Sequence, residues 1–143
     1  MNFPKFLKVY GDQSFRGNCP HEDYVLTSFF DRIRKDYPDT YGLVAFHPKN
    51  EGKRTKQQNN VDKMKGLTKG VCDVIIIGNP VLCLEIKRDD HTKSKFQPGQ
   101  LEFLEHSHNS GAFVCVALGY QAALLAFEEW RILNENNSQQ CPE

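Results

Sequence analysis

The apolar residues of this chain recur with two spacings, which predict alternating helices and strands. Spacings of three and four predict a first helix that opens near residues 18–19 and ends near residues 36–39. Apolar runs predict strands at residues 42–47, 74–77, 81–87 and 111–118. Further helices are expected near residues 58–65, from residues 97–100 onward and over residues 120–133, and the polar tail at residues 134–143 is expected to fray. This order predicts one α/β domain over residues 1–143, with a mixed β-sheet flanked by helices.

Two of these strands form a predicted hairpin with a fixed register. Residues 74–77 are β-branched, the turn is Gly78-Asn79-Pro80, and a second apolar strand follows. With a three-residue loop, position 75 pairs with 83, and Asp73 stands opposite Glu85. Their Cβ atoms are then roughly 5 Å apart. Because like charges opposite each other destabilise a strand pair, this hairpin requires a compensating cation or a retained proton.

A divalent metal ion is the simplest cation for this position. Mg²⁺ prefers oxygen ligands and is typically held by one or two carboxylates, with water and substrate phosphate in the remaining positions. Lys87 lies two residues after Glu85 and projects from the same side of its strand. Its ammonium is then placed to orient an attacking water or to stabilise a pentacovalent phosphate. The pattern therefore predicts a metal-dependent site for phosphodiester cleavage.

A structural interpretation of the same residues is also open. Asp73 would end a loop, and Glu85 and Lys87 would form a solvated face of an antiparallel sheet. Residues 81 and 83 continue the face of Glu85, however, and residues 82, 84 and 86 form the other face, all of them apolar. A strand that is apolar on both faces is central and covered, and charged residues are rarely buried there unless paired. This pattern favours the functional interpretation.

Composition places these elements in an ordinary globular protein. The chain has 143 residues, 39% of them hydrophobic and 25% charged, and no apolar run approaches the roughly 18 residues of a membrane span. The first residues lack the apolar core of a signal peptide, so the default expectation is an intracellular location. Five scattered cysteines, three of them in strand-like runs, indicate reduced packing residues rather than a disulfide framework.

The net charge is zero, which alone argues against a general nucleic-acid binder, but the charges are unevenly placed. Residues 48–70 carry seven basic and two acidic side chains, a net of +5, which leaves −5 on the rest of the chain. Such asymmetry suits salt-sensitive contacts with a phosphate backbone, and it equally suits a solvated loop. The stretch leads directly to Asp73, which favours the first interpretation.

Other polar residues have less specific patterns. Glu22 lies four residues before Leu26, so it either snorkels from a helix end or points into a polar site. Cys19 and His21 have metal-ligand spacing, but no second pair follows them. His47 ends a predicted strand beside the basic stretch, where it would contact phosphate or lie on the surface.

Together these residues resemble the VRR-NUC branch of the PD-(D/E)xK nuclease superfamily. The resemblance covers roughly residues 20–127. A lone D…ExK pattern is common by chance, whereas the ordered set is specific. It consists of Glu22, His47 with Asn50, Gly70 with Asp73, Glu85 with Lys87, and Gln100.

This resemblance implies a restriction-endonuclease-like fold and roles for individual residues. Asp73, Glu85 and the main-chain carbonyl of Ile86 would ligate Mg²⁺ or Mn²⁺, and Lys87 would act on the water or the transition state. Gln100 would support the site from the start of its helix. Glu22 would contribute behind the ligands or to a second metal. Gln97 is an alternative to Gln100, although the spacing favours Gln100.

One position departs from the family pattern. Cys72 stands where the family has proline before the aspartate. A small apolar residue should preserve the start of the strand, so we expect activity to survive. The expected DNA contacts are His47, Lys49, Asn50, Lys53, Arg54, Lys56 and Lys69.

The resemblance implies a metal-dependent DNA endonuclease. Small members of this family act on branched DNA such as Holliday junctions, as homodimers, because two symmetric nicks need two active sites. Two alternatives remain from the sequence. One is a nuclease for linear ends in restriction or phage DNA processing, and the other is a catalytically silent nucleic-acid-binding module.

Overall fold

The computed structural model describes residues 1–48 and 55–140, which form a mixed β-sheet with helices on both faces. The order of the strands across the sheet is β1-β5-β4-β3-β2. The strands are β1 (Lys8–Tyr10), β2 (Ala45–Phe46), β3 (Val74–Ile76), β4 (Leu82–Lys87) and β5 (Phe113–Leu118). The helices are α1 (Glu22–Asp36), α2 (Tyr41–Val44), α3 (Lys56–Met64), α4 (Gln100–Asn109) and α5 (Tyr120–Gln140), with a 3₁₀ turn at His91–Lys93.

The predicted hairpin register is confirmed. Strands β3 and β4 are antiparallel, with Ile75 paired to Cys83 and Val74 paired to Leu84. Continued by one residue, this register sets Asp73 opposite Glu85. Strand β4 lies in the middle of the sheet between β3 and β5, and all of its residues are buried, as predicted from its two apolar faces.

Each face of the sheet has its own apolar core. On one face, α1 and α5 pack on the strands, with Phe29, Phe127 and Trp130 at the centre. On the other face, Leu104 of α4 and Leu7 pack against residues of β4 and β5. Because side chains alternate along a strand, Cys83, Glu85 and Lys87 all point to the α4 face. The site therefore lies at the end of the second core.

The start of α1 and the segment that forms α2 differ from the sequence prediction. Helix α1 begins at Glu22 rather than near residues 18–19, because the Arg88 guanidinium binds the main-chain carbonyls of Cys19 and Pro20, at 2.7 and 3.2 Å. The predicted strand at residues 42–47 was wrong over its first half, where α2 forms a single helical turn before β2. An apolar run of this length does not distinguish a strand from a short turn of helix.

The predicted fraying was wrong over residues 134–140, because α5 continues to Gln140, and residues 141–143 lie outside the described residues. Tertiary hydrogen bonds hold this polar end against the hairpin turn. Asn134 accepts a hydrogen bond from the Asn79 main-chain N–H at 2.8 Å, and Asn137 donates one to the Asn79 carbonyl at 2.8 Å.

The burial of three cysteines agrees with the sequence prediction. Cys72, Cys83 and Cys115 are buried free thiols, as predicted.

Strand β1 was not predicted; it is three residues long and lies at the sheet edge, parallel to β5. None of the helices within the described ranges combines the length and apolarity needed to cross a bilayer.

Candidate active site

Asp73 and Glu85 come together where β3 begins and β4 nears its end. Glu85 is only 1% exposed, whereas Asp73 is half-buried at the wall of an open cleft. The Oδ2 atom of Asp73 accepts a hydrogen bond from the Ile86 main-chain N–H at 2.8 Å. This bond fixes the Asp73 carboxylate at the end of β4, beside the buried carboxylate of Glu85.

A negative charge on Glu85 is unfavourable in this position. Burial is the largest cause that raises its pKa well above the usual value, and the negative charge of Asp73 adds to it, while Lys87 opposes the shift. One carboxylate oxygen, Oε2, is buried with no hydrogen-bond partner among the described residues. A buried, partnerless carboxylate oxygen next to a second carboxylate is the arrangement that a bound cation would satisfy.

The available oxygens fit a magnesium or manganese ion. Along an extended strand, the N–H and C=O of one residue point toward the same neighbouring strand. Since the Ile86 N–H reaches Asp73, the Ile86 carbonyl also faces the Asp73 side. Asp73, the Oε2 atom of Glu85 and this carbonyl therefore form an oxygen-only donor set with two carboxylates, which matches the preference of Mg²⁺.

Lys87 is a buried cation held by several acceptors. Its side chain is 2% exposed, and its Nζ donates to the Lys95 main-chain carbonyl at 2.8 Å and to Gln100 Oε1 at 3.2 Å. The same nitrogen lies 3.4 Å from Glu85 Oε1 and 5.0 Å from the centre of the Phe96 ring. These contacts hold the Lys87 amino group in place beside the carboxylate of Glu85.

Gln100 links the cation to the buried carboxylate. Its Nε2 donates to Glu85 Oε1 at 2.9 Å, while its Oε1 accepts from Lys87. The Gln97 main-chain N–H also donates to Gln100 Oε1, at 2.7 Å, which fixes the amide orientation. Gln97 thus contributes its backbone, and the structure assigns the bridging side chain to Gln100, the residue that the spacing favoured.

Glu22 points into the polar site rather than along the surface. Its Oε1 accepts from the Ser94 hydroxyl at 2.8 Å and lies 3.9 Å from Lys87 Nζ. Ser94 in turn accepts from the Arg88 main-chain N–H at 3.0 Å. Glu22 therefore contacts the polar site through Ser94 and lies near Lys87, which decides between the two interpretations left open by the sequence.

A cleft of about 860 Å³ opens at Asp73 and Gln100. His47 lines it, and its Nδ1 donates to the Asp73 main-chain carbonyl at 2.6 Å, so this histidine supports the aspartate backbone. Lys69 also lines the cleft, and Lys56 begins α3 beside it. The remaining predicted DNA contacts, Lys49, Asn50, Lys53 and Arg54, lie outside the described residues.

Gly70 brings the loop before Asp73 against the start of α4. Its φ is +78°, and a Cβ atom there would lie 2.3 Å from the Gly99 carbonyl carbon and 2.6 Å from the Gln100 main-chain nitrogen. Only glycine permits this approach, which sets the distance between the Asp73 loop and the residue that holds Lys87 and Glu85.

Gly70→Ala is therefore expected to lower both stability and activity. The left-handed conformation costs about 1–2 kcal/mol for alanine, and the backbone clash adds to that cost. Gly66→Ala is the matched control, because Gly66 has φ +96° but open space around its Cβ position. Thermal unfolding of both variants separates the cost of the left-handed conformation from the cost of the backbone clash. An equal loss of stability would show that the close contact at Gly70 is unimportant.

Sequence reasoning missed three parts of the site. They are the Ser94 hydroxyl that holds Glu22, the Lys95 carbonyl that accepts from Lys87, and the Phe96 ring beside the ammonium. All three belong to a polar loop after β4 that contains no regular spacing. The only sequence signal was their position between Lys87 and Gln100.

Cys72 occupies the position before Asp73 without disturbing the hairpin. It is fully buried in the core on the α4 face, and its thiol lies 3.4 Å from the Val74 carbonyl. A hydrogen bond with Cys83 and burial both raise its pKa, so the thiol is neutral. Asp73 still reaches the Ile86 N–H beside it, which supports the expectation that activity survives the change from proline.

If the site cleaves DNA with a bound metal, as the resemblance implies, Gln100→Ala should reduce cleavage by about 10–100-fold, the usual cost of removing a group that orients metal ligands. Lys87 and Glu85 would lose the amide that joins them. Gln97→Ala is the control, because its main-chain N–H remains, and it should stay within about threefold of wild type. Initial rates on one DNA substrate measure both, and the reverse order of effects would restore Gln97 as the functional residue.

Comparison with known proteins places this geometry in a fold class. No protein-family model matches the chain, and no curated protein matches it. Among solved structures, the chain is similar to a VRR_NUC domain protein, with a TM-score of 0.62 and 21% sequence identity. The match covers 80% of this chain and 89% of that one.

This likeness establishes the fold. The chain has the α/β fold of that VRR_NUC domain protein, so the predicted fold class is confirmed.

Proposed function

We propose that this protein is a metal-dependent DNA endonuclease that uses Mg²⁺ or Mn²⁺. One observation carries the proposal: Glu85, which has a buried oxygen without a partner among the described residues, lies opposite Asp73, and the buried Nζ of Lys87 lies 3.4 Å from the other Glu85 oxygen. A structural ion-pair network has no need of a carboxylate whose oxygen remains unsatisfied. The VRR-NUC type of fold supports the same conclusion.

The proposed chemistry divides among the residues of the site. Asp73, Glu85 and the Ile86 carbonyl would hold the ion, which when bound lowers the pKa of water and polarises the phosphate. Lys87 orients the water and stabilises charge on the phosphoryl oxygens. The water oxygen bonds to phosphorus as the bond to the leaving sugar oxygen breaks, and that oxygen takes up a proton. Gln100 and Glu22 keep Lys87 and Glu85 in place.

The basic surface supports DNA as the substrate. Lys69 and His47 lie at the cleft, Lys56 begins α3, and the sequence adds Lys49, Asn50, Lys53 and Arg54. We propose that branched DNA, including four-way junctions, is the preferred form. One domain supplies one active site, so paired nicks at a junction require a homodimer.

An exposed apolar patch offers a surface for that dimer. Leu43, Val44, Phe46 and Ile77 are exposed around the edge strand β2, and the Ile77 N–H donates to the Val44 carbonyl at 3.3 Å. Contiguous apolar residues at a sheet edge favour association. Sedimentation with four-way-junction DNA should show two protomers per junction, and monomers alone would contradict the dimer.

The function is tested by incubating the wild-type protein with linear, flap and four-way-junction DNA in Mg²⁺, Mn²⁺ or EDTA. We expect metal-dependent nicks, fastest on the branched substrates and absent in EDTA. Equal rates on linear ends would favour a restriction or DNA-processing nuclease. Binding without cleavage in either metal would overturn the enzyme and leave a recognition module.

A further inference from the structure

Helix α3 contributes nothing to either core. None of its nine residues, Lys56–Met64, is buried, although a capping box between Thr55 and Gln58 stabilises its start. A short helix without a buried residue, whose apolar Val61 and Met64 are exposed, is not held in place by apolar burial. Its position beside the active-site cleft therefore points to a role for α3 other than packing in a core.

One face of α3 forms a wall of that cleft. Asn59 and Lys63 both line it, and because they are four residues apart they lie on the same side of the helix. Within residues 1–48 and 55–140, neither side chain has a hydrogen-bond or ion-pair partner. The Asn59 amide and the Lys63 ammonium thus face the cleft side by side, without a hydrogen bond to another described residue.

The facing wall is largely apolar. Val71 and Pro98 line the cleft on the side of the α4 start, where Lys69 lies against Gly99, and Leu67 lines it just after the end of α3. The two walls therefore offer different chemistry: donors for phosphate on α3, and apolar surface for a sugar or base opposite. The cleft ends at Asp73, where the proposed reaction takes place.

We infer that this cleft binds a short length of one unpaired DNA strand and leads its phosphate to Asp73. The sugar-phosphate backbone lies on Asn59 and Lys63, and a sugar or base packs against Leu67 and Pro98. This inference rests on the proposed nuclease function and names the part of the substrate that the enzyme holds.

The size of the cleft supports a single strand. Its volume of about 860 Å³ falls within the roughly 300–1,000 Å³ that encloses a drug-sized ligand. A few nucleotides of one strand fit such a space. The expected substrates are therefore those with a frayed, flapped or junction-distorted strand.

Binding is measured with a short fluorescein-labelled single-stranded oligonucleotide in EDTA, so that no cleavage occurs, over a range of salt concentrations. The variants are Asn59→Ala, Lys63→Ala and, as the matched control, Lys65→Ala. Lys65 is an exposed lysine two residues from Lys63 that does not line the cleft.

Three distinct results are expected. Lys63→Ala should weaken binding roughly three- to tenfold and reduce the slope of log K against log salt by about 0.7, the value for one phosphate contact on a single strand. Asn59→Ala should weaken binding to a similar degree without changing the slope, because the amide is neutral. Lys65→Ala should change neither by more than about twofold in affinity.

Cleavage with Mg²⁺ or Mn²⁺ provides the second readout. Lys63→Ala and Asn59→Ala should raise KM with kcat nearly unchanged, and blunt duplex should bind more weakly than the single strand. Equal effects of Lys63→Ala and Lys65→Ala, or tighter binding of blunt duplex, would overturn the inference. A wild-type protein that shows the binding pattern but cuts no DNA would instead overturn the nuclease function and support the strand-binding cleft.

Discussion

Lys87→Ala is expected to abolish measurable DNA cleavage, with a loss of at least about 10²–10³-fold, because the proposed reaction loses the one buried lysine or arginine among the described residues. Among the described residues, the other cleft lysines, Lys63 and Lys69, are exposed and cannot supply an ordered charge at that point. The Nζ of Lys87 lies 3.4 Å from Glu85 Oε1 and is held by the Lys95 carbonyl and Gln100. A cation from the solvent would lack these fixed contacts and would not replace the ordered Lys87 ammonium.

Lys87→Ala also leaves a cavity and removes the partner of Glu85, so reduced folding must be separated from lost chemistry. Lys87→Met retains most of the side-chain volume against Phe96 and removes only the charge. We expect Lys87→Met to melt as a folded protein in circular dichroism and to be as inactive as the alanine variant.

Lys95→Ala is the control for this prediction. Its side chain is exposed, and its main-chain carbonyl, which accepts from Lys87, remains in the variant. Its cleavage rate should stay within about threefold of wild type. If Lys87→Met cuts DNA nearly as fast as wild type, Lys87 has a structural role and the assignment of the site is wrong.

The site residues could be predicted because strand geometry fixes them. Side chains alternate with a period of two, and a short turn sets the register, so Asp73, Glu85 and Lys87 follow from the hairpin alone. Their burial also followed, since the residues flanking Glu85 are apolar on both faces of β4. The resemblance then added Gln100 and Glu22, whose contacts with Lys87 join distant parts of the chain.

The remaining features depend on tertiary contacts that have no local pattern. The end of α5 is polar and would fray alone, but Asn134 and Asn137 bind the hairpin turn. The start of α1 is displaced because Arg88, far along the chain, uses the carbonyl of Cys19. Ser94 is one polar residue in a polar loop, and nothing before folding distinguishes it as the partner of Glu22.

Glu85→Gln is expected to make the metal-free protein more stable near neutral pH while abolishing cleavage. The glutamine has the shape of a protonated glutamate and no charge. Burial and the neighbouring Asp73 raise the pKa of Glu85 well above its usual 4.5 in the folded protein. At neutral pH the wild-type protein therefore either keeps a buried proton or carries an unfavourable charge. Removing that charge should add about 1–3 kcal/mol to the free energy of unfolding.

The pH dependence has a definite sign. Because the folded state holds this proton more tightly than the unfolded chain, Glu85 imposes no penalty at pH values below its unfolded pKa. Its penalty grows as the pH rises above that value and becomes constant above the raised folded pKa. The difference in melting temperature between Glu85→Gln and wild type, both in EDTA, should therefore increase from about pH 4.5 toward neutral pH. A constant difference over this range would contradict the buried, unsatisfied carboxylate.

A metal titration completes the test, because a bound divalent ion should remove the same penalty. At a free concentration 100 times its dissociation constant, a ligand stabilises the folded state by about 2.7 kcal/mol. Mg²⁺ or Mn²⁺ should therefore raise the melting temperature of the wild-type protein by several degrees at neutral pH and that of Glu85→Gln far less. Glu102→Gln, which removes an exposed carboxylate on α4, should respond like wild type. If Glu85→Gln gains as much from metal as wild type does, the ion binds elsewhere and Glu85 is not its ligand.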